Sequence, residues 1–162
     1  MKKYLLLVAI IFASCVEQKQ EPKTAGYSIR GEEESYMIGS DETTDFIRKW
    51  ADAHNERDME SILSMEKADI KIELPDGTVI NGQDEHSKVL ESFFANNVTW
   101  KPYWMLPYNS VVAKETWVIA GFALTSNVDG EENVVLHMGD IQLEDGLVSR
   151  IIVYENQRPK KQ

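Results

Sequence analysis

Three histidines could transfer protons near neutral pH, because imidazole is the side chain that titrates there. His54 follows Trp50 by one helical turn, so both side chains are expected to face the same way. His137 lies in the middle of an otherwise apolar strand. His54 and His137 could each act as a general acid or base, or be a semi-buried histidine held by a hydrogen bond. His86 is expected on the polar side of a helix, in solvent.

A carboxylate near His137 could be its partner in proton transfer. Asp140 follows three residues later, and residues three apart on a regular strand point to opposite faces of a sheet. A shared pocket would therefore need a bulge, for which Gly139 is suited. The candidate catalytic residues are His137, Asp140 and His54.

Metal and nucleophile patterns are absent from the sequence. It contains no HxH or HExxH spacing, so no metal site is predicted, and no cofactor is expected. It also lacks the GxSxG pattern of hydrolases and a glycine-rich phosphate loop. The only cysteine, Cys15, lies outside the predicted folded domain.

Aromatic side chains are the candidates for a ligand pocket, and all four tryptophans lie in the predicted domain. Rings that line an apolar cavity bind other rings or acyl chains well. The alternative is that these side chains form the core or a dimer face. Trp100, Pro102 and Trp104 share one strand parity. The predicted pocket consists of Trp50, His54, Trp100, Trp104, Trp117 and Tyr154.

Helical periodicity predicts the elements that carry the first of these residues. Apolar positions at helical spacing after a run of capping residues predict a first helix over 43–55. Asp58 can cap a second, short helix over 59–65. In the segment "QDEHSKVLESFFANN" the apolar side chains fall on one face, which predicts a third helix.

The remaining segments read as strands. Alternation of Ile70, Ile72 and Leu74 with charges predicts a half-buried strand that turns at Pro75-Asp76-Gly77. After residue 97 all of the pattern is strand, and Asp-Gly turns at 129–130 and 145–146 predict an antiparallel meander. The first of these strands contains two prolines and should be an edge or bulged strand. Segregated helices and strands indicate an α+β fold.

Three segments within residues 41–156 carry a resemblance to a known fold family. They are "FIRKWADAHNERDMESI", "PDGTVINGQDEH" with the following "VLESFF", and "GDIQLEDGLVSRIIVYEN". In these segments the chain resembles the nuclear transport factor 2-like (NTF2-like) superfamily, in its SnoaL-like branch. The resemblance implies a cone-shaped fold in which a curved antiparallel sheet wraps around three N-terminal helices. It also implies a pocket in the cone and homodimers formed through the sheet.

The same superfamily includes isomerases, cyclases, dehydratases and binding domains, so the fold does not determine the activity. SnoaL-like cyclases use an aspartate on a late strand, to which Asp140 is the nearest equivalent. Ketosteroid isomerases place an aspartate base near the first strand, a role open to Asp69, and a tyrosine on the first helix. No tyrosine lies in 43–55, so the isomerase set is incomplete.

The N-terminus has the organisation of a targeting signal. Lys2 and Lys3 precede the apolar run "YLLLVAIIFA", which is too short to span a bilayer. The string "FASC" then resembles the lipobox of bacterial lipoproteins, with Phe12 where leucine is preferred. The resemblance implies a signal peptide over 1–14, a lipid on Cys15 and a location on a membrane of the bacterial cell envelope. The alternative is an ordinary secretory signal.

Two further segments are predicted to lie outside the domain. Residues 15–40 are polar and broken by glycine and proline, which predicts a flexible tether after the lipidated cysteine. Residues 157–162 are expected to be a disordered tail. The SnoaL-like domain is therefore predicted to cover 41–156.

Charge and composition limit the partners. The net charge is −10, which disfavours a nucleic acid. Our leading hypothesis is a lipid-anchored envelope domain that binds a small apolar or aromatic molecule in its cone, as a homodimer. The alternative is an enzyme of the cyclase, isomerase or dehydratase type with a histidine–aspartate pair in the same pocket. A third hypothesis is a module for protein association.

Overall fold

The structure, a computed structural model, describes residues 24–27, 34–128 and 130–156. The predicted signal peptide, Cys15 and the tail 157–162 lie outside these ranges. The helices are α1 (Asp41–Glu56), α2 (Met59–Ser64) and α3 (Gly82–Ala95). The strands are β1 (Gly26–Tyr27), β2 (Ser35–Ile38), β3 (Glu66–Glu73), β4 (Val79–Asn81), β5 (Thr99–Ser110), β6 (Thr116–Val128), β7 (Glu131–Glu144) and β8 (Leu147–Asn156).

All eight of these strands join one curved, unclosed sheet in the order β1-β2-β5-β6-β7-β8-β3-β4. β5 to β8 form the predicted antiparallel meander. β3 pairs with β8 in parallel, so the sheet is mixed and not purely antiparallel as expected. The α+β class is confirmed.

Local signals determine where the first two helices begin and end. The Ser40 side chain accepts a hydrogen bond from the Glu42 amide, and Arg57 ends α1 in the left-handed conformation, with φ of 58°. Asp58 caps α2 through the amide of Ser61. Both predicted helices are confirmed to within two residues at each end. No helix among the described residues is long and apolar enough to cross a membrane.

The fold begins earlier than the predicted start at Asp41. β2 lies within the segment predicted as a tether, yet it pairs with the end of β5, where Ile38 is opposite Tyr108. The rings of Tyr36 and Tyr108 meet edge to face with centroids 5.6 Å apart. This contact gives a polar segment an apolar anchor on the sheet, so residues 35–38 belong to the folded domain.

The core lies between the inner face of the sheet and the helices. From α1 it takes Ile47, Trp50 and Ala51, which are buried almost completely. The sheet contributes alternate residues, including Val118 and Ala120 from β6. This packing presents one face of α1 to the cone interior and thereby positions the side chains described below.

A bulge in β5 decides which of its tryptophans faces inward. Pro102 pairs with Phe122 but Trp104 pairs with Gly121, which leaves Tyr103 as an extra residue. Each extra residue reverses the faces of those that follow, so Trp100 points inward and Trp104 outward. The predicted common parity of Trp100 and Trp104 is therefore wrong. On the outer face, the side chains of Tyr103 and Trp104 lie over Gly121 and leave no room for a Cβ atom there.

Candidate functional site

An aromatic cluster fills the interior between α1 and β5. The ring centroids of Trp50 and His54 are 4.2 Å apart, and His54 stacks on Trp100 at 4.7 Å. Asn55 holds the backbone of Trp100 against α1, because its amide nitrogen donates to the Trp100 carbonyl and its oxygen accepts from the Trp100 amide. The cluster is therefore fixed by hydrogen bonds as well as by stacking.

A buried carboxylate adjoins this cluster. The indole N–H of Trp50 donates to Glu66 Oε1 at 2.8 Å, and His86 Nδ1 lies 3.0 Å from Glu66 Oε2. The side chain of Glu66 is fully buried and that of His86 is 4% exposed. The prediction that His86 lies in solvent is wrong. A buried carboxylate needs hydrogen-bond donors, and Trp50 and His86 supply them.

His54 has one ring nitrogen bound and one free. Its Nδ1–H donates to the Trp50 carbonyl at 2.7 Å, which leaves a lone pair on Nε2. Burial is the main cause that lowers the pKa of His54, to about 3, and the nearby His86 lowers it further, while the Trp50 carbonyl raises it. At neutral pH His54 is therefore an uncharged acceptor.

Two polar atoms of the cluster have no partner. In the described part of the chain, three buried side-chain polar atoms make no hydrogen bond, and two of them are His54 Nε2 and Trp100 Nε1. One is an acceptor and the other a donor. A buried polar group without a partner costs roughly 1–3 kcal/mol, so these two atoms indicate a place for a water molecule or a ligand.

The interior cavities are small. One of about 10 Å³ is lined by residues that include His54, Phe93, Phe94 and Trp100. Another of about 30 Å³ lies among residues that include Trp50, Trp100 and His137. Such volumes hold one or two water molecules. A larger ligand would have to displace side chains.

Half of the predicted pocket residues lie outside the interior cluster. Trp50, His54 and Trp100 are in the interior. Trp104 and Tyr154 are on the outer face of the sheet, where they are 39% and 48% exposed. Trp117 is buried, but on the outer face, where it stacks on Tyr108. These three cannot line the cone, because strand parity and the β5 bulge turn them away from it.

The structure does not bring His137 and Asp140 together. The register of β7 is unbroken from Leu136 to Gln142, so no bulge forms at Gly139 and the two side chains point to opposite faces. His137 lies at the interior rim, with Nε2 3.4 Å from a carboxylate oxygen of Glu155. The predicted His137–Asp140 pair is therefore not formed. Asp69, the other candidate base, is exposed.

Asp140 instead belongs to a hydrogen-bonded pair on the outer face. The hydroxyl of Tyr108 donates to Asp140 Oδ1 at 2.8 Å. Burial raises the pKa of the Asp140 carboxyl, against the lowering effects of Tyr108 and Arg150. Burial likewise raises the pKa of Tyr108, and the hydrogen bond to Asp140 adds to the effect. The pair lies on the opposite side of the sheet from the aromatic interior. Its hydrogen bond joins β5 to β7, and it does not contribute to the interior site.

Sequence reasoning missed Glu66 and His86 as site residues. A signal for His86 exists, because it lies four residues before Leu90 and extends the apolar face of α3 by one turn. Glu66 offers no comparable signal. It stands at the start of β3, and only the tertiary fold brings it to Trp50 and His86.

No family model matches the sequence, and no curated protein does. Solved structures do match: a candidate ketosteroid isomerase from Kribbella flavida DSM 17836 has a TM-score of 0.61 at 18% identity, over 77% of this chain and 85% of that chain. A second match is SalBIII, an epoxide hydrolase/cyclase-like enzyme in pyran ring formation in the polyether salinomycin. It has a TM-score of 0.62 at 16% identity, over 71% of this chain and 91% of that chain.

A third match is an NTF2-like protein of unknown function from Cytophaga hutchinsonii ATCC 33406, with a TM-score of 0.55 at 15% identity, over 70% of this chain and 88% of that chain. The fold is NTF2-like. The fold predicted from the three sequence segments is thus confirmed. At these identities the likeness shows the fold alone, and the activity has to be argued from the NTF2-like interior of this chain.

Proposed function

We propose that this protein is a lipid-anchored NTF2-like domain that binds a small apolar or aromatic molecule carrying a hydroxyl group. The observation that supports the ligand is the pair of unpaired atoms, His54 Nε2 and Trp100 Nε1, inside an otherwise aromatic interior. A ligand ring can stack on the indoles of Trp50 and Trp100.

A hydroxyl group suits the two unpaired atoms. A hydroxyl donates one hydrogen bond and accepts others, so it can donate to the acceptor on His54 and accept from the donor on Trp100. The rings of His54 and Trp100 are stacked with centroids 4.7 Å apart, and both residues line the 10 Å³ cavity. Binding would then remove the cost of leaving these polar atoms unpaired.

The structural neighbours support a small molecule as ligand. Two of them are named for a cyclase-like enzyme and a candidate isomerase. We place binding ahead of proton transfer because His137 and Asp140 lie on opposite faces of the sheet. The ligand must be small or must displace Phe93 and Phe94, which line the 10 Å³ cavity together with His54 and Trp100.

Binding can be tested with phenol as the probe. Indole N–H signals in a ¹H–¹⁵N NMR spectrum report each tryptophan separately, and Trp100→Phe identifies the signal of Trp100. We expect phenol to shift that signal and to bind about fivefold more tightly than toluene, since one buried hydrogen bond contributes roughly 1 kcal/mol. Toluene has the same ring without the hydroxyl.

The matched control is Trp104, which lies on the outer face and is 39% exposed. Trp104→Phe identifies its signal, and this signal should not move when phenol is added. A shift of the Trp104 signal as large as that of Trp100, or equal binding of phenol and toluene, would contradict the proposed site.

The lipid anchor is part of the same proposal. It is supported by the short apolar run and the "FASC" string, which place Cys15 where a lipoprotein signal peptide would be cut. Several acyl chains on one cysteine suffice for stable attachment to a membrane. Cys15→Ser should therefore move the protein from the membrane fraction to the soluble fraction of an expressing cell. Unchanged fractionation would refute the anchor.

Homodimer formation stays a prediction. The outer face of the sheet is a suitable surface, because it exposes the apolar side chains of Tyr103, Trp104, Leu106 and Tyr154. The molecular mass of the Cys15→Ser protein in solution would show whether it is a monomer or a homodimer. The acidic net charge continues to disfavour a nucleic acid as partner.

A further inference from the structure

We propose that His54, Glu66 and His86 form a binding site for a divalent transition-metal ion such as Zn²⁺. One ring nitrogen of each histidine and one carboxylate oxygen of Glu66 lie within 4.8 Å of one another, and all three residues are buried. The site goes beyond the proposed function, because it assigns the lone pair of His54 Nε2 to a metal ion, which would compete with an organic ligand for that atom.

The ligand types fit such an ion. Two imidazoles and one carboxylate form a common set for Zn²⁺ and for other first-row divalent metals. The motifs absent from the sequence, HxH and HExxH, place ligands on one element. Here α1, β3 and α3 each contribute one residue, so the set becomes visible only in the fold.

His54 is oriented as metal-binding histidines are. Such histidines donate their second N–H to a carbonyl or a carboxylate, which fixes the ring and leaves the other nitrogen for the metal. The Nδ1–H of His54 donates to the Trp50 carbonyl, and Nε2 is buried without a partner. A metal ion would give that lone pair a partner. An uncharged imidazole is the form that binds metal.

Glu66 is held in a comparable way. The indole N–H of Trp50 donates to Oε1 of Glu66, and the second oxygen, Oε2, makes its hydrogen bond with His86. A metal ion could bind this oxygen once the His86–Glu66 hydrogen bond opens, while Trp50 keeps the carboxylate in place. A divalent cation would also give the fully buried carboxylate of Glu66 a positively charged partner.

Binding requires only a small contraction of the cluster. Around a tetrahedral Zn²⁺, bonds of about 2.0–2.1 Å place neighbouring ligand atoms roughly 3.4 Å apart. The ligand atoms here lie within 4.8 Å of one another, so side-chain rotations that move each atom by on the order of 1 Å would bring them to bonding distance of one ion. A water molecule would complete a tetrahedral set of four ligands.

The test uses Co²⁺, whose visible absorption reports tetrahedral coordination. The full chain, purified in detergent without a histidine tag and freed of metal by a chelator, is titrated with Co²⁺ and then with Zn²⁺ as a competitor. We expect one ion per chain. His54→Gln and His86→Gln should each lower the affinity by about 100-fold or more, whereas His137→Gln and Cys15→Ser should leave it unchanged.

The controls separate metal binding from folding. His54→Gln retains an N–H group that can bind the Trp50 carbonyl, so near-ultraviolet circular dichroism should show a folded protein that has lost the Co²⁺ absorption. A folded native protein that gives no Co²⁺ absorption, or unchanged affinity in folded His54→Gln, would overturn the site. No organic ligand is present, so this result is independent of the phenol experiment.

Discussion

Glu66→Leu should lower the free energy of unfolding by about 2–6 kcal/mol, because it leaves two buried hydrogen-bond donors without an acceptor and each costs roughly 1–3 kcal/mol. The side chain of Glu66 is fully buried and accepts from Trp50 Nε1 and His86 Nδ1. Leucine has a similar size but accepts no hydrogen bond. Two donors would therefore stay buried without a partner. Urea unfolding followed by tryptophan fluorescence, with chelator present, measures the change.

Glu66→Gln is the matched control for shape and charge. Glutamine keeps one carbonyl oxygen, which can still accept from Trp50, and loses the acceptor that faces His86. We expect a smaller loss of roughly 1–2 kcal/mol, the cost of one buried hydrogen bond. Equal losses for leucine and glutamine, or a loss below about 1 kcal/mol for leucine, would show that the hydrogen bonds of Glu66 do not stabilise the fold.

Much of the fold follows from local patterns in the sequence. The ends of α1 and α2 are determined by Ser40, Arg57 and Asp58, whose capping contacts involve residues close in sequence. The hairpin between β7 and β8 forms at Asp145 and Gly146, where φ is 53° and 79°, the left-handed values of a two-residue turn. Hence periodicity and turn residues predicted these elements. The matching turn at 129–130 is described only in part.

The interior could not be predicted in the same way, because it depends on pairing between distant residues. Strand parity places Trp100 and Trp104 together, but the bulge at Tyr103 separates them. The prolines of β5 predict a bulged or edge strand, but they do not specify the residue at which the bulge forms, since that depends on how β5 pairs with β6. Glu66 reaches His86 across 20 residues, through the packing of α3 on β3. Trp50 and His54 meet as their helical spacing predicts, because both lie on one face of α1.

Lowering the pH from 7 to 5 should cost the metal-free protein about 2 kcal/mol of stability through His54 alone. Burial lowers the pKa of His54 to about 3, from an ordinary value of 6.5. Between these values the unfolded chain binds one proton that the folded protein does not. The stabilisation is therefore complete above pH 6.5 and is lost progressively as the pH falls toward 3. Urea unfolding at both pH values, with chelator present, measures the loss.

His54→Gln isolates this contribution, because glutamine does not titrate. Other groups also change with pH; burial, for example, raises the pKa of Asp140 and favours the folded protein as the pH falls. These groups are the same in both proteins and cancel in the comparison. The variant should therefore lose about 2 kcal/mol less than the native protein between pH 7 and pH 5. Equal losses would mean that His54 takes up its proton in the folded state, and that its Nε2 is not the buried, uncharged acceptor that the proposed ligand site requires.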